Sequence, residues 1–110
     1  MTKRTAKFRL NENAVISKAL ADPSRLMIIA MLSGGELCAC EILEKFHFTQ
    51  PTLSHHIKIL CDCGLVSGRK EGKWMYYTLN NAVVKDYLSF LRDLTTKKEN
   101  CLCYEKNETT

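Results

Sequence analysis

The chain has 110 residues, 45% of them hydrophobic and 25% charged, with a net charge of +4. That length and balance suit one globular domain with a modest core rather than a disordered chain, and the mild positive charge permits a nucleic-acid partner without requiring one. No apolar run approaches the ~18 residues of a membrane span, and the basic N-terminus is not followed by the apolar segment of a signal peptide; the chain is expected in the cytoplasm, with its six cysteines reduced and available as ligands.

Residues 1–9 carry four Lys/Arg and little pattern, and read as a frayed arm. Residues 10–20 read as a first helix with apolar positions at Ala14, Val15, Ala19 and Leu20. Asp22 then caps a second helix that has Pro23 at its first position and Leu26, Ile29, Ala30 and Leu32 as its inward side. Ser33-Gly34-Gly35 ends it, and residues 36–46 read as a third helix with Leu43 and Phe46 facing inward.

Residues 46–65 organise the rest. Thr49 is placed to cap a helix, Pro51 falls in its first turn where a missing N–H costs little, and Gly64 stands where a helix end favours positive φ. Leu53, Ile57 and Leu60 share one face, while Thr52, His55, Lys58 and Ile59 point roughly the other way. His56 lies on the flank of the apolar face and reads as a packed, hydrogen-bonded residue. A short helix with an uncharged, hydrogen-bonding outer face and one Lys suits insertion into a DNA major groove; the plain alternative is an ordinary surface helix. Its close junction to the preceding helix is a helix-turn-helix pattern.

Beyond Gly64 the period changes. Residues 65–71 and 73–79 are rich in β-branched and aromatic side chains about Gly72, which predicts a β-hairpin with Arg69, Lys70 and Lys73 near its tip. A hairpin in that position is a wing able to reach phosphates or the minor groove. Residues 82–96 form a last helix, in which Val83, Val84, Tyr87, Leu88, Phe90, Leu91 and Leu94 make a stripe too wide for one packed face. A second subunit is expected to cover it, with the first helix as neighbour. The expected architecture is mostly α with a β-hairpin wing, a dimeric winged helix-turn-helix of order α-α-α-α-β-β-α over residues 1–96, followed by a polar tail over 97–110.

The cysteines fall in three pairs, Cys38/Cys40, Cys61/Cys63 and Cys101/Cys103. Inside a regular helix such a pair subtends about 200° and cannot converge. At a helix start it can, because the first residue is not yet helical, and the free N–H groups there favour thiolate. Cys38 and Cys40 sit at such a start, so they are either ligands for a soft ion or two small buried hydrophobes. Cys61 and Cys63 either bind metal or pack under the wing, and a polar tail gives Cys101 and Cys103 no packing reason to exist. A His/Cys nucleophile pair lacks any indicated third orienting group, so no enzyme is expected.

Taken together, Ala19-Leu20-Ala21-Asp22-Pro23-Ser24-Arg25-Leu26, Glu36-Leu37-Cys38-Ala39-Cys40-Glu41-Ile42, Gln50-Pro51-Thr52-Leu53-Ser54-His55-His56-Ile57-Lys58-Ile59-Leu60, and Gly64-Leu65-Val66 with Arg69-Lys70-Glu71-Gly72-Lys73 resemble the ArsR/SmtB family of metal-sensing winged-helix repressors over about residues 10–95. The resemblance implies a homodimer that represses an operon by binding double-stranded operator DNA and leaves it when a metal or metalloid binds. It implies Cys38 and Cys40 as the thiolate sensor for As(III) or Sb(III), with no cofactor required for folding. Arsenic-sensing members often carry a third cysteine where this chain has Leu43, and the cadmium/lead type draws cysteines from an N-terminal arm that has none here. A further branch senses cadmium and lead through a cysteine matching Cys63 together with tail thiolates, for which Cys101 and Cys103 are candidates, although its other helix ligand falls on Ile59. Zinc- and nickel-sensing relatives place Asp/His pairs along the last helix; no histidine follows His56. Gln50, Thr52, Ser54 and His55 are the expected base-edge or groove contacts, and Lys58, Arg69 and Lys73 the expected phosphate contacts. The competing readings are the same fold sensing Cd(II), Pb(II) or Zn(II), a thiol-redox-sensing repressor, and a structural zinc module that binds protein.

Overall fold

Three of the helix starts carry a side chain that accepts backbone N–H groups of the first turn. In the computed structural model, which describes residues 3–96, with side chains from Arg9 onward, the elements run α1 (Lys3–Ala19), α2 (Pro23–Leu32), β1 (Leu37–Cys38), α3 (Ala39–Glu44), α4 (Gln50–Asp62), β2 (Val66–Glu71), β3 (Trp74–Leu79) and α5 (Asn81–Thr95). The Asp22 carboxylate accepts the backbone N–H groups of Ser24 at 3.0 Å and Arg25 at 3.2 Å ahead of α2. Thr49 Oγ1 accepts from Thr52 at 3.4 Å ahead of α4, and Asn80 Oδ1 accepts from Val83 at 3.3 Å ahead of α5. Gly64 closes α4 at φ 90° and Gly72 turns the hairpin at φ 64°, backbone positions that side chains disfavour.

The core lies where α1, α2, α3 and α4 meet the root of the hairpin. Ile28, Ile42 and Leu60 are fully buried, with Ile16, Ala19, Leu32, Leu53, Ile57, Leu65 and Val66 packed around them. Leu53, Ile57 and Leu60 are therefore the inward face of α4, as their spacing requires. β2 and β3 form the wing, Val66 opposite Leu79 and Glu71 opposite Trp74, in a three-stranded antiparallel sheet of order β1-β3-β2.

Four expectations need correction. The first helix starts at Lys3, not at residue 10, and its inward positions are Asn13, Ile16 and Ala19, while Ala14 and Val15 face solvent. Asn13 is buried without penalty because its amide donates to the Arg9 carbonyl at 2.8 Å. In α2 the inward pair is Ile28 and Leu32, four residues apart, and Leu26 and Ala30 are exposed. Residues 36–46 are not one helix: Leu37 and Cys38 pair with Tyr77 and Tyr76 of β3 before α3 begins, and Ile42 rather than Leu43 or Phe46 is the fully buried residue. The observed order is thus α-α-β-α-α-β-β-α.

No residue of α5 is fully buried; Leu88 remains 52% and Leu94 47% exposed, near α1, where Val15 is 53% exposed. The two helices are tied by the Ser17 and Tyr87 hydroxyls at 2.7 Å and by an Arg9–Asp86 ion pair. No helix among the described residues is long and apolar enough to cross a membrane. The tail from residue 97, with Cys101 and Cys103, lies outside the described residues.

Candidate nucleic-acid interface and thiolate site

Gln50, Thr52, Ser54, His55 and Lys58 all lie exposed on α4, outside its buried stripe of Leu53, Ile57 and Leu60. Lys58 donates to Asp62 at 3.1 Å, one turn along the helix, an open pair of little energetic weight. His56 is half-buried, and the Arg25 guanidinium donates to its Nδ1 at 3.1 Å while Arg25 Nε donates to the Ala19 carbonyl at 2.6 Å. The His56 ring also lies 5.6 Å from that of Phe48, which stacks on Phe46 at 4.5 Å. This chain of contacts fixes α4 against α2 and the turn before it. The sequence pointed to a packed His56 but not to Arg25 as its partner, 31 residues away.

On the wing, Lys70 and Lys73 are exposed, and Lys73 Nζ lies 6.0 Å from the Trp74 ring. Arg69 differs from the free phosphate contact the sequence suggests. Glu36 accepts from its Nε at 2.9 Å and from a terminal nitrogen at 3.0 Å, Glu71 accepts from the other at 2.6 Å, and the guanidinium lies 4.8 Å from the Tyr76 ring centre. The Arg69 hydrogen bond holds the Glu36 carboxyl below its ordinary pKa, and Glu36 and Glu71 in turn raise that of Arg69. This bidentate clasp ties the wing to the residue that precedes β1.

Cys38 and Cys40 are brought together. Cys38 has extended backbone, φ −84° and ψ 160°, at the N-cap of α3, whereas Cys40 lies one residue inside the helix. That break in geometry lets two residues with Cα atoms 5.4 Å apart bring their sulfurs into bonding contact, and they are joined as a disulfide. The Cys38 N–H donates to the Glu41 carboxylate at 2.8 Å, which anchors the helix start. Cys38 is 7% exposed and Cys40 is open to solvent, so the pair faces outward through Cys40. Beside Cys40 lies a cleft of about 330 Å³ between α3, α4 and β3.

The other cysteines behave differently. Burial, then the neighbouring Asp62 and Cys63, push the Cys61 thiol above its ordinary pKa, disfavouring the thiolate that a metal requires. Cys63 Sγ donates to the Leu60 carbonyl at 3.3 Å. Both are half-buried against the core, as packing residues are. Among the described residues no three His, Cys, Asp or Glu side chains gather as a metal site, which leaves a structural zinc module without its four ligands there.

The family model of the arsR family of bacterial regulatory proteins matches residues 22–67, the span from the α2 cap through α4 into the wing. An arsenical resistance operon repressor of Staphylococcus aureus is 49% identical over 92 residues, covering 84% of this chain and 88% of the relative. The chain belongs to the arsR family. A cadmium resistance transcriptional regulatory protein CadC homolog of Staphylococcus aureus is 39% identical over 84 residues, covering 76% of this chain and 69% of that protein. Among solved structures, HlyU from Vibrio cholerae matches with a TM-score of 0.65 at 34% identity, covering 88% of this chain and all of that one. This arsR-family chain is accordingly a DNA-binding transcriptional regulator on a winged-helix scaffold and not an enzyme. Leu43 lines the cleft beside Cys40.

Proposed function

We propose that this arsR-family regulator represses an arsenical-resistance operon and leaves its operator when trivalent arsenic or antimony bridges Cys38 and Cys40. The observation that carries the reading is the convergence of those two sulfurs at the break between β1 and α3. The relative named an arsenical resistance operon repressor supports the choice of inducer. In this reading Gln50, Thr52, Ser54 and His55 contact base edges in the major groove, while Lys58 and Lys73 meet phosphates. Arg69 joins them only as far as Glu36 and Glu71 release it. Two copies pair through α1 and α5, covering Val15, Leu88 and Leu94 and setting two reader helices on successive half-sites. Residues 1–96 form the working domain, in the cytoplasm, and fold without a metal.

Release follows from linkage. Cys38 is paired in β1 with Tyr76 of the wing, and Cys40 lies on α3, next to α4. An ion held by both thiolates fixes the geometry at that junction. If the resulting state presents wing and reader less well to DNA, the ion weakens operator binding by its own preference for that state. A hundredfold release needs about 2.7 kcal/mol of coupling, within the reach of soft-ion thiolate bonds.

Operator binding by reduced protein, titrated with arsenite, tests the reading. Cys38→Ser and Cys40→Ser should keep near-normal operator affinity and lose release. Release of Cys38→Ser/Cys40→Ser protein at the normal arsenite concentration would move the site elsewhere, with Cys63, Cys101 and Cys103 next in line. The joined sulfurs also favour a second reading, a thiol-oxidation switch at the same pair. It predicts release by diamide, reversed by dithiothreitol. The CadC homolog supports including Cd(II), Pb(II) and Zn(II) in the ion series.

A further inference from the structure

Cys38 belongs to a row of residues that crosses the whole sheet. It stands opposite Tyr76 of β3, and Tyr76 stands opposite Arg69 of β2. Directly opposed residues point to the same face, so Cys38, Tyr76 and Arg69 share one face over all three strands. Glu36 closes the row from the other end. It lies two residues before Cys38 and accepts from Arg69 Nε at 2.9 Å and from a terminal nitrogen at 3.0 Å, while the guanidinium lies 4.8 Å from the Tyr76 ring centre. Strand β1 by itself is joined to β3 by only two residue pairs. The clasp adds a further tie, from the segment that leads into Cys38 straight to the far strand of the wing. Glu71 holds the same arginine at 2.6 Å, but from within β2, so it adds nothing between the wing and β1.

We propose that Glu36 and Arg69 are positioning residues for induction, their clasp carrying the state of the Cys38/Cys40 junction to the wing. This rests on Cys38 and Cys40 as the inducer ligands. Neither Glu36 nor Arg69 touches the ion. With the clasp closed, the segment from Glu36 to Cys38 and strand β2 move together, so a change of backbone at Cys38 turns the hairpin with it. With the clasp open, only the two β1–β3 pairs convey that change, and the hairpin keeps more of its DNA-binding pose when the ion binds. Lys73 sits in the turn of the same hairpin, so the contact at stake is the wing's hold on phosphate.

The test reads the factor by which saturating arsenite weakens operator binding, measured by anisotropy on full-length protein kept reduced with a phosphine. The factor is taken within each variant, so a changed DNA affinity cancels. Glu36→Gln and Arg69→Ala should each lower it about fivefold, from about a hundred to about twenty, the scale of one solvent-exposed charge pair. Because both break one clasp, the double variant should lose no more than either alone. Glu71→Gln, which removes the carboxylate that lies within the wing, should keep the wild-type factor. Arsenite affinity of the DNA-free variants, measured by calorimetry, should stay near that of wild type, showing that the thiolate site is folded. A clasp that only braces the fold would lower the thermal midpoint and leave the factor alone. A wild-type factor in Glu36→Gln or Arg69→Ala, or an equal drop in Glu71→Gln, overturns the proposal while leaving arsenite induction intact. Absence of release in the wild type overturns the thiolate reading and this proposal with it.

Discussion

Glu36→Gln should strengthen DNA binding by a protein whose wing otherwise holds one arginine in check. In the structure Arg69 lies between two carboxylates, doubly bonded to Glu36 at 2.9 and 3.0 Å and singly to Glu71 at 2.6 Å, so locally the wing carries no surplus positive charge at that point. Glutamine keeps one neutral acceptor and removes the charge. A freed Arg69 that takes up a phosphate should steepen the plot of log affinity against log salt by about 0.9 per protomer. Between two salt concentrations fourfold apart, that one contact changes affinity by about 3.5-fold. Anisotropy titrations of an operator duplex and an unrelated duplex over such a series are the assay, and both duplexes should show the change. Arg69→Ala alone should leave the slope within a few tenths of wild type, and on the Glu36→Gln background it should cancel the gain. Because Arg69 lowers the Glu36 pKa, the clasp is fully formed above the ordinary value of 4.5 and lost only as pH falls through the lowered one, so neutral-pH assays start from the closed state. A slope in Glu36→Gln equal to or shallower than that of wild type would refute the reasoning.

Lys73→Ala should flatten the same slope by about 0.9 and weaken all sequences alike; an unchanged slope removes Lys73 from the interface. Leu88→Glu, placed at a residue 52% exposed on α5, should give a folded monomer with poor operator binding, checked by sedimentation beside a wild-type dimer; a stable wild-type monomer at micromolar concentration contradicts the pairing. Cys61→Ala and Cys63→Ala should lower the urea midpoint modestly and leave release by arsenite intact, whereas loss of release would make them ligands rather than packing.

The parts of the fold marked by single residues were legible before any coordinates. Asp22-Pro23, Thr49, Gly64 and Gly72 each do locally what their chemistry requires, and the inward face of α4 follows from the spacing of Leu53, Ile57 and Leu60. β1 was not legible because a two-residue strand has no period, and it lies inside a stretch whose composition suits a helix. The inward side of α1 misled because two forces compete there: Asn13 is buried by bonding its own helix, while Val15 stays outside. The convergence of Cys38 and Cys40 could be argued from the helix start alone. The clasp on Arg69 could not, because Glu36 is 33 residues away and only the β1–β3 pairing brings it near. Nor did the sequence suggest the cleft, whose walls come from three separate elements.

The central claim is that ion binding at Cys38 and Cys40 and operator binding are one linked equilibrium. Linkage requires that arsenite weaken operator affinity by the same factor by which operator weakens arsenite affinity. Calorimetric titration of arsenite into reduced protein, free and then saturated with operator, measures the second factor, and anisotropy with and without saturating arsenite measures the first. Two equal factors of about a hundred, both falling to one in Cys38→Ser/Cys40→Ser protein, are the predicted result. Arsenite that binds free and operator-bound protein with the same affinity would contradict the account.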